Sequence, residues 1–226
     1  MRDQIQYGNT IIELSLGATT LTDLSGYTFI PKESSIERIK EKIKKKAPWI
    51  IKQQDFFLSF HPYTPERKFI SGETHLYLGR QYRLKLHLAE DEKVKLAGGY
   101  IQIYSKNIED KNVIQNSLKQ WYKDRAEQHF NQLFNELKPI SKSFYNEEPV
   151  LTYRWMKKRW GSCDKHGKIH LNLELIKTPK KCIEYVIIHE LCHLKYLNHS
   201  NAFYTLLEQV YPDWKATKDR LERLMV

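Results

Sequence analysis

Hydrophobic positions follow two regimes along the chain. From Ile5 to Ile30, short apolar stretches such as Thr10-Ile11-Ile12-Glu13-Leu14 alternate with Tyr7-Gly8-Asn9 and Leu24-Ser25-Gly26, the pattern of small strands and turns. Ser34-Ser35-Ile36-Glu37 then makes a capping box ahead of Ile36, Ile39 and Ile43 at helical spacing, and Pro48 should end or kink that helix. Its lysines, Lys40, Lys42, Lys44, Lys45 and Lys46, read as a solvated face ahead of the alternative, a nucleic-acid patch. Thr74 to Leu78 and Gln81 to Leu88 alternate at period two on either side of Gly79-Arg80, which predicts a hairpin, and Gly98 to Tyr104 predicts a further strand. The period then changes to that of a long helix with Ile114, Leu118, Trp121, Tyr122, Ala126, Phe130, Leu133 and Leu137 on one core-facing stripe. The switch suggests a β-rich amino-terminal subdomain over 1–106 and a second subdomain over 107–226.

The second half predicts a strand from Val150 to Trp155 and a hairpin pairing Trp160–Cys163 with Lys168–Asn172 around Asp164-Lys165-His166-Gly167. Thr178 as N-cap and Pro179 at the first helical position open a helix that buries Ile183, Val186, Ile187, Leu191 and Leu194. Two further helices follow. One starts after Ser200 with Phe203, Leu206, Leu207 and Val210 inward, and the other runs from Pro212 toward Leu224. The fold class is α+β.

Composition narrows the partners more than the fold. The 226 residues are 41% hydrophobic and 28% charged, enough to build a core, and the formal net charge of +10 favours anionic partners such as nucleic acid, nucleotides or acidic surfaces. Cys163, Cys182 and Cys192 contain no C-x-x-C pair, which excludes a disulfide framework and a four-cysteine zinc ribbon and fits a reducing compartment. The most apolar run, Val186-Ile187-Ile188, is far short of a membrane span, so a soluble, cytoplasmic protein is expected.

His189-Glu190-Leu191-Cys192-His193 is an H-E-x-x-H pattern. Residues four apart share one helix face, so both imidazoles reach one metal ion while the glutamate lies close without ligating it. Catalytic zinc takes three protein ligands and keeps one position open for water. His199 is the nearest third ligand, reached by a turn at Tyr196-Leu197-Asn198, with Glu208 on the next helix as its best substitute. The total spacing equals that of metzincin proteases, but Tyr196 stands where their turn glycine belongs and no methionine follows His199 at a suitable position, so membership there is rejected. Three imidazoles suit zinc best, with other divalent transition metals able to occupy the same donor set. Neither Cys163 nor Cys192 has a visible base partner for nucleophilic work.

Four segments together resemble the YgjP-like family of metal-dependent hydrolases, relatives of the SprT-like and WLM-type zinc metallopeptidases. They are Arg159-Trp160-Gly161-Ser162-Cys163, Ile169-His170-Leu171-Asn172, Tyr185 to Leu194, and Asn198-His199-Ser200 with Phe203. Gly72-Glu73 and Tyr77 to Tyr82 carry a weaker signature upstream. The resemblance implies a zincin-like catalytic half, with His189, His193 and His199 as zinc ligands and Glu190 as the catalytic glutamate that activates water. It also implies that the hairpin at Trp160–Asn172 supplies an edge strand for an extended substrate, with Arg159 and Ser162 facing the cleft. Three functions are therefore expected in competition: a zinc-dependent hydrolase of metallopeptidase type acting on peptide or protein, a metal-dependent pyrophosphatase of a small anionic nucleotide, and an SprT-like nucleic-acid-associated protease or binder.

Overall fold

The computed structural model describes residues 67–157 and 159–224, three amino-terminal strands, and residues 41 and 44–48. The chain divides into two compact units, Met1–Thr64 and Pro65–Val226. The boundary near 106 read from the sequence falls inside the second unit, at a strand-to-helix junction.

In the first unit, strand β1 (Arg2–Tyr7) pairs antiparallel with β2 (Thr10–Ser15), and β2 pairs parallel with β3 (Thr28–Phe29). Residues 44–48 are helical, with Lys44, Lys45 and Lys46 exposed as expected. The capping box at Ser34–Glu37 and the apolar positions Ile36, Ile39 and Ile43 lie outside the described residues.

The second unit opens with a four-stranded sheet ordered β4-β5-β7-β6, formed by β4 (Thr74–Tyr77), β5 (Arg80–Leu88), β6 (Lys93–Ala97) and β7 (Tyr100–Ser105). The β4–β5 hairpin is the one the alternation predicts, turning at Leu78 and Gly79, both with positive φ. Strand β6 is not apparent from the sequence, because Lys93, Lys95 and the neighbouring acidic turn mask a five-residue alternation whose only inward side chains are Val94 and Leu96. Its partner is reached through Gly98-Gly99, whose φ values of 58° and 80° suit the tight turn.

Helix α1 (Lys111–Leu137) begins at Asp110, whose side chain accepts from the Asn112 amide at 2.8 Å, and buries the stripe read from the sequence, with Phe134 added and Leu137 only half-buried. A short 3-10 helix (Lys138–Ser143) follows. Strands β8 (Val150–Arg154), β9 (Gly161–Cys163) and β10 (Lys168–Asn172) form a second sheet in the order β8-β10-β9, with β10 parallel to β8 and antiparallel to β9. The predicted hairpin is present, its turn fastened by Asp164 Oδ1, which accepts from the His166 and Lys168 amides at 2.8 and 3.0 Å.

A second 3-10 helix (Leu173–Lys177) leads into α2 (Lys180–His193), then α3 (Asn201–Val210) and α4 (Trp214–Glu222). Thr178 is not the N-cap of α2. Its hydroxyl donates to the Leu175 carbonyl at 2.8 Å, closing the preceding 3-10 turn, and Pro179 supplies the first helical carbonyl instead. Helix α4 starts at Trp214, two residues later than Pro212. The first hairpin clamps this junction: the Leu78 and Gly79 amides donate to the Ile176 and Lys177 carbonyls at 2.8 and 3.0 Å, and a Cβ on Gly79 would lie 2.6 Å from Pro179. Helix α2 therefore emerges at a fixed point and packs against α1, α3, α4, β9 and β10. Among the described residues no helix is long and apolar enough to cross a membrane.

His75 on β4 is 5% exposed, and burial lowers its pKa to about 4 despite Glu73 Oε2 at 3.7 Å. A depressed histidine pKa means that the unfolded chain binds the proton first, so this contribution is complete above pH 6.5 and is lost as pH falls toward 4. Denaturant titrations across that window should show a loss on the order of 2 kcal/mol that His75→Phe removes. An unchanged pH profile in the variant would rule out His75 as the source.

Candidate metal centre

Helix α2 is apolar on nearly every side, and its last turn is where polar chemistry enters. His189 and His193 share one face of that turn, Glu190 points into the protein at 5% exposure, and the chain then turns through Tyr196 and Asn198 to bring back His199. Ser200 caps α3 immediately afterwards, its hydroxyl accepting from the Phe203 amide at 3.4 Å.

The three imidazoles converge. His199 Nε2 lies 3.0 Å from His189 Nε2 and 3.2 Å from His193 Nε2. His193 Nδ1 lies 2.9 Å from the Tyr196 carbonyl oxygen, to which it donates, so its Nε2 carries the lone pair. Burial lowers the pKa of all three rings, that of His189 to about 3 with help from His193 and His199, so the cluster is neutral near pH 7. Neutral rings facing one another through Nε2 have too few protons to satisfy every contact, whereas one cation satisfies all three. Tetrahedral coordination at about 2.0–2.1 Å separates ligand atoms by roughly 3.3 Å, close to the spacing observed. The three histidines can hold a metal ion. His189 Nδ1 is buried without a hydrogen-bond partner among the described residues, a cost that bonding at Nε2 would offset.

Phe203 is the floor of the cluster. Fully buried on the first turn of α3, its ring lies 5.0, 4.5 and 4.8 Å from the centroids of His189, His193 and His199. Periodicity marks Phe203 only as an inward position, and the resemblance includes it without a role, because contact with three rings from two other segments leaves no periodic signal. Glu208 is not part of the cluster; its carboxylate accepts from Trp214 Nε1 at 2.6 Å and lies 3.6 Å from Lys215 Nζ.

The rings open into a cleft of about 320 Å³ that Glu190, Arg159, Gly161, Ser162 and Cys163 also line. Strand β9 crosses directly over Glu190. A Cβ on Gly161 would meet the Glu190 Oε1, Cγ and Cδ atoms at 2.6, 2.9 and 3.0 Å, so only glycine lets the strand and the carboxylate share this space. Burial pushes the Glu190 pKa up to about 8, and Arg159 pulls against it. The Cys163 and Cys192 thiols are each pushed up to about 12 by burial, which leaves neither as a thiolate nucleophile.

Arg159 is held in place by Asn172. The buried Asn172 side chain donates to the Met156 and Arg159 carbonyls at 2.8 and 2.9 Å and accepts from the Met156 and Glu174 amides, both at 3.1 Å. All its hydrogen-bonding capacity is used, three bonds fastening Met156 and Arg159 to β10 and the fourth capping the 3-10 turn at Glu174.

A small α+β domain whose central helix and following turn present three metal-competent histidines beside a buried glutamate has the make-up of a metallopeptidase-like domain. The profile of the YgjP-like family, described as YgjP-like, metallopeptidase domain, matches residues 23–224, and the chain belongs to that family. The crystal structure of the metallopeptidase zymogen abylysin from Pyrococcus abyssi aligns at 27% identity over 41% of this chain and 90% of its own, with a TM-score of 0.37. That of the metallopeptidase zymogen jannalysin from Methanocaldococcus jannaschii aligns at 20% identity over 43% and 97%, with a TM-score of 0.38. No curated protein matches the chain.

In competition with a chromogenic chelator, His199→Ala should weaken zinc binding on the order of a hundredfold or more, and Phe203→Leu, which keeps the burial but loses the flat ring, about tenfold; zinc affinity untouched by His199→Ala would exclude the triad. Asn172→Asp sets a carboxylate oxygen against two carbonyls, and urea titration should register a loss of about 2 kcal/mol or more.

Proposed function

We propose that this protein is a zinc-dependent hydrolase of the metallopeptidase type, with a zincin-like catalytic half over 107–226. The observation that carries the reading is the convergence of the His189, His193 and His199 Nε2 atoms beside the buried Glu190 carboxylate. Zinc is the cofactor best suited to three neutral imidazoles, and when bound there it supplies Lewis acidity toward both a water and the carbonyl under attack.

The chain's own residues divide the remaining work. Glu190 accepts the proton of the attacking water on its carboxylate and returns it to the departing amine, a relay favoured by a carboxyl whose pKa burial has raised. A cation among the imidazoles would draw that pKa down again and so favour the basic form. Gly161 keeps β9 close enough to confine the carboxylate to one orientation. Among the described residues strand β9 is the edge of its sheet and pairs only with β10, so its outer backbone groups are available to an extended peptide laid along the cleft. Arg159 and Ser162 line the same cleft and would contact that peptide, Arg159 through an acidic side chain or carbonyl oxygen.

With zinc loaded, unfolded protein or a peptide library should be cleaved, and Glu190→Gln should reduce kcat at least a thousandfold while zinc stoichiometry stays at the wild-type value. Gly161→Ala, whose methyl group would press on the carboxylate from 2.6 Å, should reduce kcat on the order of a hundredfold with zinc retained. A zinc-loaded chain that releases pyrophosphate from nucleoside triphosphates and cleaves no peptide would replace this reading with the nucleotide one.

A further inference from the structure

The four-stranded sheet turns one face to the core, through Leu84, Ile101 and Ile103, and the other outward, where Arg83, Lys85, Lys93, Lys95 and Tyr100 are exposed and His87, Gln102 and Tyr104 half-buried. The alternation of burial along β5, β6 and β7 puts Arg83 and Lys85, Lys93 and Lys95, and Tyr100, Gln102 and Tyr104 on the open face. None of these three strands contains an aspartate or glutamate. Among the described residues Arg83, Lys85 and Lys95 have no ion pair, and only Lys93 has one, with Asp91 at 3.6 Å.

Aromatic rings stand in rows between these cations. The register places Arg83 beside Tyr100, Lys85 and Lys95 on either side of Gln102, and His87 and Lys93 on either side of Tyr104. Tyr100 is 38% exposed with Lys85 Nζ 5.9 Å from its ring centre; Tyr104 stacks on His87 at 4.6 Å and 11° with Lys93 Nζ at 5.4 Å.

We propose that this face binds single-stranded nucleic acid, with Tyr100 and the Tyr104–His87 pair as stacking platforms and Arg83, Lys85, Lys93 and Lys95 as the phosphate-neutralising rim. The spacing favours a single strand over a duplex. Tyr100 and Tyr104 are four residues apart on one strand, about 13 Å at the usual rise, whereas neighbouring stacked bases lie about 3.4 Å apart. Bases resting on both platforms must be splayed out, as an unpaired strand permits and a helix does not. Gln102, between the platforms, accepts from the Tyr104 hydroxyl at 3.0 Å and keeps its amide hydrogens for a base or sugar. The surface shares no residue with the histidine cleft, so it stands whether or not the chain is a peptidase.

The test is fluorescence anisotropy of the full chain with labelled RNA and DNA oligonucleotides of about 12 nucleotides, their duplex counterparts, and vesicles containing phosphatidylserine. Single strands of either sugar should bind at 50 mM salt, more tightly than duplex, with an affinity that falls steeply as salt rises. Tyr100→Ala and Tyr104→Ala should each weaken binding on the order of tenfold with the salt slope unchanged. Lys85→Gln with Lys95→Gln should make the slope shallower by roughly 1.4. Unchanged thermal midpoints in these surface variants would show that the losses are not unfolding, and chelated protein should bind like the untreated chain. No binding at low salt, equal or tighter binding to duplex or vesicles, or tyrosine variants that bind like the wild type would overturn the proposal.

Discussion

Helix α2 must be buried on almost every side while carrying two imidazoles and a carboxylate, and the rest of the second unit answers that demand. Its upper turns, Cys182 to Ile188, are apolar apart from Glu184 and closed in by α1, α3 and α4. A helix so placed cannot rotate without exposing Ile187 or Leu191, and its rotation decides where His189, Glu190 and His193 point. The axial position is set separately, by the Leu78 and Gly79 amides on the carbonyls just before Pro179. Packing and backbone hydrogen bonding thus fix two different coordinates of the same site.

A layer of residues with no chemistry of their own then sets the fine geometry. Phe203 sets one ring against three imidazoles that come from a helix and a turn, stacked on His193 and at steep angles to His189 and His199. Gly161 lets an edge strand lie against Glu190, which both confines and desolvates the carboxylate. Asn172 fastens the loop that carries Arg159. Strand β9 therefore lies against the Glu190 carboxylate and also lines the cleft into which the three imidazoles open.

The two sheets present unlike surfaces. The β8–β10–β9 sheet is small, with a short edge at the histidine cleft. The β4–β7 sheet is broader, and its open face interleaves cations with rings. The overall charge of +10 only indicates that some anionic partner suits the protein; the strand register shows where the acid-free part of that charge gathers.

Periodicity was enough to find α1, the β4–β5 hairpin and the β9–β10 hairpin, because each is stabilised by neighbours in the chain and leaves a repeat of two or 3.6. It failed for β6, where five residues with two inward side chains are too few to register, and for Thr178, whose hydroxyl was free to choose between two adjacent helix ends. The four-residue interval between His189 and His193 likewise needs nothing beyond the helix to place both rings on one side. By itself, then, the sequence determined the α+β class, the central helix and which donors a metal would seek. The approach of His199 to within 3.2 Å of both partners, the space left at Gly161, the ring of Phe203 and the exclusion of Glu208 were decided by tertiary structure alone. Contacts between segments far apart in the chain leave no period to read, and they exist only once the core has brought those segments together.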